Sequence, residues 1–206
     1  FSKVKQENEE LKIKNSELEN QMIEYKALKD ENERLREVLN FKENKNNYDY
    51  IGVNIIGYSG GTVSNGYIID KGTNDGVEKD MIIINYQGLV GKVTKAESNY
   101  SIVETILNEN MAVSVMVDST RENKNEDLVK VYNLPIDSEI KEGDVILTSG
   151  LGMIYPKEIR IGEVVSVETD NVMVMKNALV KPYVDFNKLE ELFIVVPKDK
   201  VNVKYD

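Results

Sequence analysis

The stretch DVILTSGLGMIYPKEIRIGEVVSV, residues 144–167, carries the clearest signal of fold class in this chain. Two runs rich in β-branched residues flank a segment that holds Gly150, Gly152 and Pro156. Such runs are typical of strands, and glycine and proline are the usual residues of the turns that join them. The stretch therefore predicts two strands joined by a bend, in which Gly150 and Gly152 let the chain reverse and Pro156 restricts the loop.

Ser149 lies in this bend and raises the question of a serine nucleophile. Such a nucleophile needs a base within hydrogen-bond reach, and the chain contains no histidine, so a Ser-His-Asp triad cannot be assembled. A lysine base stays open, because SEIK (138–141) has the Ser-x-x-Lys spacing of penicillin-binding enzymes. That signature also needs a presenting helix and two further motifs, of which Lys71-Gly72-Thr73 is only a scrambled version of one. We expect no catalytic residue here, with a degenerate or lysine-dependent serine protease as the alternative.

Two further motifs are weak evidence for a ligand. The glycines of the bend lack the G-K-[ST] of a phosphate-binding loop. The segment DKGTNDG (70–76) superficially resembles a calcium loop, but its acids miss the EF-hand spacing. Asn74-Asp75-Gly76 is better interpreted as a turn that requires a positive φ. We therefore expect no cofactor and no metal.

Short strands and turns continue on both sides of the opening stretch, from about residue 48 to 197. Turn signals recur every 8 to 12 residues with no helix-length amphipathic segment between them, and only VDFNKLEEL (184–192) has the composition of a helical turn. This spacing predicts small barrels or sandwiches. Residues 71–93 and 149–167 show a weak internal sequence similarity, called the faint echo below, which two related barrels in tandem would explain. The polar run 118–127 is an exposed loop or a boundary between two β units. The sequence leaves open which of the two barrels contains the last strand, LFIVVP (192–197).

The first forty residues follow a different pattern. Residues 1–43 contain neither glycine nor proline and repeat asparagine three residues before leucine, as in NEEL (8–11), NSEL (15–18) and NERL (32–35). This spacing is that of a and d positions in a coiled coil, with one three-residue slip, or stammer, after Tyr25. The predicted seam consists of Asn8, Leu11, Asn15, Leu18, Met22, Tyr25, Leu28, Asn32, Leu35 and Leu39.

The charges beside this seam predict a parallel homodimer. In a parallel pair, position g of one helix meets position e of the other, five residues further along. Four such pairs have opposite signs, namely Glu7–Lys12, Lys14–Glu19, Glu24–Lys29 and Glu31–Arg36. The buried asparagines also favour two parallel strands at some cost in stability. A solvated single helix that lies on its own domain is the alternative.

Composition excludes several classes of partner and chemistry. The net charge of −10 argues against a nucleic-acid partner, because phosphate binding needs a basic surface. The absence of cysteine removes disulfide and thiolate chemistry. No apolar run approaches the length of a membrane span, and the first residue is Phe1, so we expect that an upstream segment is missing.

Four segments in a fixed order carry a resemblance to a known family. DKGTNDGVEKDM, GLVGKV, GDVILTSGLG and RIGEVVSV, behind an Asn/Leu coiled coil, resemble MreC, the rod shape-determining protein family of bacteria. The positions that match its pattern are Gly88, Gly91, Gly143, Asp144, Thr148, Ser149, Gly150, Leu151, Gly152, Pro156 and Gly162. The chain departs from the pattern at Met153 and Glu158, where the family often has glycine. We expect Gly88, Gly91, Gly150, Gly152, Pro156 and Gly162 to serve as structural turns.

The resemblance implies a mainly β fold, in which a coiled-coil helix (1–43) precedes two small β-barrels (44–118 and 119–206). Its layout is like that of chymotrypsin, without an active site. It further implies a scaffold of the cell-elongation machinery, anchored in the cell membrane by a missing N-terminal helix, with this fragment on the extracytoplasmic side. The implied partners are a penicillin-binding transpeptidase, RodA, MreD and MreB, and self-assembly beyond the dimer stays open.

Overall fold

The structure is a computed structural model, which describes residues 2–44, 47–60, 66–108, 117–120, 127–150 and 156–198. Within these ranges, one α-helix is followed by short strands and one 3-10 turn (Thr73–Asp75). The elements are α1 (Ser2–Asn44), β1 (Tyr48–Val53), β2 (Ile55–Tyr58), β3 (Tyr67–Ile69), β4 (Ile82–Asn85), β5 (Gly88–Ala96), β6 (Ser101–Thr105), β7 (Val117–Thr120), β8 (Leu128–Pro135), β9 (Val145–Leu147), β10 (Arg160–Asp170), β11 (Met175–Pro182) and β12 (Leu192–Pro197).

Helix α1 has almost the bounds that the sequence predicts. It begins at Ser2 and ends at Asn44, whereas the prediction was 1–43. No glycine or proline interrupts its 43 residues, and glutamate, lysine and leucine are all good helix formers. At 1.5 Å per residue, the helix is about 65 Å long. No helix in the described part of the chain combines the length and apolar composition that crossing a bilayer requires.

Seven strands form the first sheet, in the order β1-β12-β4-β5-β6-β3-β2, with antiparallel pairing throughout. Its two edge strands, β1 and β2, are separated along the chain by Asn54 alone. A sheet whose opposite edges are joined by one residue must curl until those edges meet. Asn54 fixes the bend through its backbone N–H and its side-chain amide, which donate to the two carboxylate oxygens of Asp70, each at 2.8 Å.

The second sheet contains five antiparallel strands in the order β7-β8-β11-β10-β9. Its centre is the hairpin β10–β11, whose strands pair from Gly162 and Pro182 up to Asp170 and Met175. The chain is thus mainly β, with an N-terminal helix and two curled sheets, and the predicted fold class is confirmed.

Each sheet has its own apolar core. In the first sheet, the side chains of Ile82, Ile83 and Ile84 on β4 are all buried, so both faces of the sheet are covered at this strand. In the second sheet, the core residues include Val129, Val131, Ile161, Val164 and Val180. Burial of each such side chain stabilises the fold by about 1.5–3 kcal/mol before the entropy of ordering is counted.

The structure answers one question that the sequence leaves open and corrects one expectation. The last strand, β12, pairs with β1 and β4, so it lies in the first sheet. Residues 184–192 form bends and turns up to the start of β12 and contain no helical turn. By compactness the chain divides into Phe1–Phe41 and Lys42–Asp206. The division into two barrels at residue 118 stays a prediction, and residues 109–116, just before this boundary, lie outside the described residues.

Candidate functional site

The bend that follows β9 is held at its base by Thr148, the residue before Ser149. The Thr148 hydroxyl is buried; it donates to the carbonyl oxygen of Pro156 at 2.8 Å and accepts from the N–H of Ile159 at 2.9 Å. The Thr148 backbone donates to the Ile159 carbonyl oxygen at 2.9 Å and accepts from the Glu158 N–H at 2.8 Å. These four bonds join the two ends of the loop between β9 and β10. The predicted bend between two strands is confirmed.

Inside this bend, two residues have left-handed backbone conformations. Gly150 has φ 68°, and a β-carbon at this position would lie 2.8 Å from the Lys157 β-carbon. Glu158 has φ 66°, which costs a residue with a side chain about 1–2 kcal/mol. The resemblance placed a glycine at this position in many relatives, and the backbone shows why glycine suits it. Pro156 is buried at the end of the bend, whereas Leu151, Gly152 and Met153 lie outside the described residues.

The Ser-x-x-Lys spacing at Ser138 does not have the geometry that its chemistry requires. Ser138 lies in the turn after β8, where its hydroxyl oxygen accepts from the Ile140 N–H at 3.3 Å. Lys141 belongs to the next turn, in which its backbone N–H donates to the Asp144 carboxylate at 2.9 Å. The segment therefore lacks the helix that presents the lysine to the serine in penicillin-binding enzymes.

The segment from Lys71 to Gly76 is a capped turn. Asp75 accepts from the backbone N–H of Gly72 at 3.0 Å and lies 3.7 Å from the Lys71 ammonium nitrogen. Gly76 has φ 89°, which confirms the predicted turn with a positive φ. The Asp75 carboxylate is used to hold the backbone of its own turn. Among the described residues, no three His, Cys, Asp or Glu side chains converge on a position that could hold a metal ion.

The remaining predicted turn glycines have different roles in the structure. Gly88, with φ 151°, is the first residue of β5 and comes directly after the turn between β4 and β5. Gly91 and Gly162 lie inside strands β5 and β10, so their assignment to turns is corrected. Glycine is needed at both positions because the backbone of a neighbouring strand leaves no room for a side chain. A β-carbon on Gly91 would lie 2.1 Å from the carbonyl oxygen of Glu104, and one on Gly162 would lie 2.2 Å from that of Lys181.

The two sheets meet where the β4–β5 turn of the first contacts the start of β10 and the segment after β11. Gln87 accepts from the backbone N–H of Asp185 at 3.0 Å, across 98 residues of sequence. The guanidinium group of Arg160 lies 4.6 Å above the ring of Tyr183. The Gln87–Asp185 hydrogen bond joins the β4–β5 turn of the first sheet to the segment after β11, whereas the Arg160–Tyr183 contact lies within the second sheet. Sequence patterns carry no signal for them, because the residues are far apart along the chain.

Tyr67 adds a buried contact between the first sheet and the segment after β11. Its hydroxyl lies 3.5 Å from the carbonyl oxygen of Phe186. Burial, with smaller contributions from the nearby Tyr58 and Asp127, raises the pKa of Tyr67 to about 12. The phenol therefore stays neutral at physiological pH and can donate to this carbonyl oxygen.

The predicted dimer seam is exposed to solvent along α1 in the single chain. The apolar seam residues Leu11, Leu18, Met22, Tyr25, Leu28, Leu35 and Leu39 have between 37% and 70% of their surface exposed. A row of exposed apolar side chains at heptad spacing is what a helix shows when its coiled-coil partner is absent. The homodimer itself stays a prediction.

The tip of the β10–β11 hairpin is an apolar surface that the sequence interpretation missed. Strand β11 starts only at Met175, so the three apolar residues before it lie in the turn. Val172, Met173 and Val174 form the tip and are 90%, 63% and 61% exposed. The carboxylate of Asp170 accepts from the backbone N–H groups of Val172 and Met173, each at 2.9 Å, and holds the tip in place.

Comparison with known proteins places this arrangement among bacterial shape proteins. The family model described as "Rod shape-determining protein MreC, barrel core" matches residues 55–196. The cell shape-determining protein MreC of Listeria monocytogenes is 32% identical over 200 residues, which cover 92% of this chain and 68% of that protein.

Two solved structures are similar to the whole chain or to most of it. An MreC structure from Listeria monocytogenes has a TM-score of 0.66 at 28% identity and covers 97% of this chain and 100% of that one. A chain of the complex between Penicillin-Binding Protein (PBP2) and MreC from Helicobacter pylori has a TM-score of 0.57 and covers 74% of this chain and 99% of its own. At 21% identity, the second similarity shows the fold alone.

Proposed function

The chain belongs to the MreC family of rod shape-determining proteins, and on that premise we propose that it is a non-enzymatic scaffold of the bacterial cell-elongation machinery. In this role it organises and activates the enzymes that synthesise peptidoglycan, and so controls cell shape. The observation that carries the proposal is the family match, which spans both curled sheets from residue 55 to residue 196.

The enzymes that we propose as partners include a penicillin-binding transpeptidase. The Helicobacter pylori MreC of the same fold was solved in a complex with Penicillin-Binding Protein (PBP2), and this supports the same class of partner for this chain. We extend the proposal to RodA, MreD and MreB, the other members of the machinery that the family resemblance implies.

The proposed scaffold is a membrane-anchored parallel homodimer on the extracytoplasmic side of the cell membrane. The exposed apolar seam of α1 supports dimerisation, because a second copy would bury it. Two parallel helices, each about 65 Å long, would then connect the β structure to the anchor.

In-cell crosslinking tests the partner directly. Photoreactive amino acids would replace exposed residues on different parts of the β structure, namely Tyr58 on β2, Ser149 in the bend and Val172 at the hairpin tip. Leu89 and Val90 are unsuitable positions because they are buried. We expect at least one β position to capture a transpeptidase, while a matched position outside the seam of the helix, Ile13, captures none.

The opposite outcome is equally clear. If every β position and Ile13 capture the same proteins, or if no β position captures a cell-wall synthase, the scaffold proposal is wrong. A fluorophosphonate probe that labels the protein at Ser149, with loss of labelling in Ser149→Ala, would overturn the non-enzymatic part of the proposal.

A further inference from the structure

We propose that a cavity at the end of β11 binds a short peptide with apolar side chains, and that the amino and carboxyl ends of this peptide are both free. The cavity has a volume of about 380 Å³ and is lined by residues 181–187, together with Asp127. Pockets that bind small molecules have volumes of about 300–1,000 Å³, so this one suits a ligand of about two residues. The inference goes beyond the proposed scaffold function and does not depend on it.

The backbone around the cavity is held from both sheets. The Tyr183 N–H donates to the carbonyl oxygen of Ile161 on β10 at 3.0 Å, and the Asp185 N–H donates to the Gln87 side chain at 3.0 Å. The Asp185 carboxylate in turn accepts from the Asn187 N–H at 3.0 Å. The cavity is therefore formed before a ligand arrives, which reduces the entropy that binding costs.

The buried part of the cavity wall is apolar. Val184 and Phe186 are each 4% exposed, and Pro182 is half-buried. Such a wall favours apolar side chains in the ligand, because their contact removes both surfaces from water. A charged side chain placed there would lose its hydration without gaining a partner. We therefore expect the side chains of the ligand to be apolar.

The charged groups around the cavity carry both signs. Asp127 and Asp185 supply two carboxylates, and Lys181 supplies one ammonium group. A second positive charge lies beside them, because the Arg160 guanidinium is stacked on the ring of Tyr183, another lining residue. With two charges of each sign, the site favours neither a polyanion nor a polycation. It suits a ligand that is neutral overall and carries one charge of each sign, as a peptide with free ends does.

Lys181 is the group that we assign to the carboxyl end of the ligand. Its side chain is exposed. In the described part of the chain no ion pair or hydrogen bond holds its ammonium group, not even one with Glu163, its cross-strand neighbour on β10. The ammonium group can therefore turn toward a carboxylate in the cavity and donate charge-assisted hydrogen bonds to it.

Asp127 is the group that we assign to the amino end of the ligand. It is half-buried and lies close enough to Tyr67 to raise the pKa of that phenol, whose oxygen is 3.5 Å from the Phe186 carbonyl oxygen. This places the Asp127 carboxylate beside the buried wall of the cavity, where water screens a charge less than at the open surface. Asp185 is less suitable, because its carboxylate is exposed and already accepts the Asn187 N–H.

Four forms of one dipeptide test the proposal on the full chain. Alanyl-valine has both ends free, its amide lacks the negative charge, its N-acetyl form lacks the positive charge, and its N-acetyl amide lacks both. Titrations followed by methyl NMR of valine-labelled protein measure the four affinities, and the Val184 signals should move. We expect alanyl-valine to bind about fivefold more tightly than either singly blocked form, and the doubly blocked form to bind most weakly. Equal affinities for the four forms, or Val184 signals that do not move, would overturn the proposal.

Two variants assign the two charges. Lys181→Met should weaken the binding of alanyl-valine about fivefold and leave that of its amide unchanged, because the amide has no carboxylate for Lys181 to bind. Asp127→Asn should likewise weaken the binding of alanyl-valine and leave that of the N-acetyl form unchanged. In each variant, unchanged binding of the blocked form also shows that the cavity persists.

The matched controls are Lys141→Met and Asp137→Asn, which remove exposed charges that do not line the cavity. Both should bind all four forms as the unchanged protein does. If Lys181→Met and Asp127→Asn bind alanyl-valine as tightly as the unchanged protein, or weaken all four forms equally, the inference is wrong.

Discussion

Gly88 and Arg160 touch backbone to backbone where the two sheets meet. A β-carbon built on Gly88 would lie 2.2 Å from the carbonyl oxygen of Arg160, a distance at which one of the two backbones must move. Gly88 also has φ 151°, which side chains rarely allow. The absence of a side chain at this one position therefore lets the β4–β5 turn approach the start of β10.

Gly88→Ala should destabilise the β structure by roughly 2–4 kcal/mol, because it adds a backbone clash to an unfavourable φ. The matched control is Gly76→Ala, which has a positive φ of 89° but nothing within 4 Å of the new β-carbon. We expect the control to cost about 1 kcal/mol, the conformational part alone. Urea unfolding, monitored by the near-UV circular dichroism of tyrosine, measures the free energy of unfolding of the β structure in each variant. The signal reports on the β structure because ten of the eleven tyrosines follow the helix in sequence. Equal losses in the two variants would contradict the close contact.

The environment of the Asp70 carboxyl should make the stability of the first sheet depend on pH. Partial burial raises the pKa of the Asp70 carboxyl, but hydrogen bonds from the backbone and side chain of Asn54 outweigh burial and leave the pKa below its usual value. A carboxyl whose folded pKa is lowered stabilises the fold above its unfolded pKa of about 3.9. This contribution is lost as the pH falls from there through the lower folded pKa.

Asp70→Asn should therefore lower the free energy of unfolding at pH 7 by about 1–3 kcal/mol, because a charged acceptor of two hydrogen bonds is replaced. The difference from the unchanged protein should shrink as the pH falls below about 4, where the Asp70 carboxyl of the unfolded chain becomes protonated, and continue to shrink down to the lower folded pKa. Unfolding by urea at a series of pH values measures this difference in the free energy of unfolding. Asp49→Asn is the control: its exposed carboxylate lies 3.8 Å from the Lys198 ammonium and should matter little. A difference that stays constant down to pH 2 would contradict the role of Asp70.

The parts of the fold that the sequence predicts are those set by local composition. Helix α1 follows from 43 residues without glycine or proline, and most strands follow from β-branched runs between turn residues. The faint echo also has a structural counterpart. Gly91 and Gly162 each begin a Gly-x-Val at the end of a hairpin furthest from its turn. A β-carbon added to either would lie 2.1 Å or 2.2 Å, respectively, from a carbonyl oxygen of the neighbouring strand.

The parts that the sequence does not predict depend on contacts between distant residues. The composition of YIGVNIIGY (50–58) does not indicate a break at Asn54, where the structure shows a bend between β1 and β2 that is held by the contact of Asn54 with Asp70. The return of β12 to the first sheet and the contact of Gln87 with Asp185 are likewise long-range. At the hairpin tip, the hydrophobic run 172–180 gives no sign that Val174 adopts φ 55°, which is unfavourable for a β-branched residue.

Glu158 offers a substitution that should stabilise the protein. Its φ of 66° is strained for glutamate, and glycine adopts it freely. Glu158→Gly should raise the free energy of unfolding by about 0.5–1 kcal/mol, since the relief of strain exceeds the entropy that glycine gains in the unfolded chain. Glu158→Ala retains the strain and serves as the control. Thermal unfolding compares the two, and a glycine variant no more stable than the alanine variant would contradict the strain.

The seam of α1 yields the last prediction, on oligomeric state. A parallel coiled coil buries Leu18 against Leu18 of the partner chain, whereas Ile13, which is 61% exposed, lies outside the predicted seam. Leu18→Asp should therefore shift the protein from a dimer toward a monomer of 23.4 kDa in analytical ultracentrifugation, and Ile13→Asp should leave the dimer intact. Direction can be tested separately, because the chain contains no cysteine. In Leu18→Cys protein, two parallel helices bring the new thiols face to face, and mild oxidation should crosslink them. Antiparallel helices would hold the thiols far apart, so a dimer that does not form this crosslink would overturn the parallel arrangement. A protein that is monomeric at all concentrations would overturn the coiled coil itself.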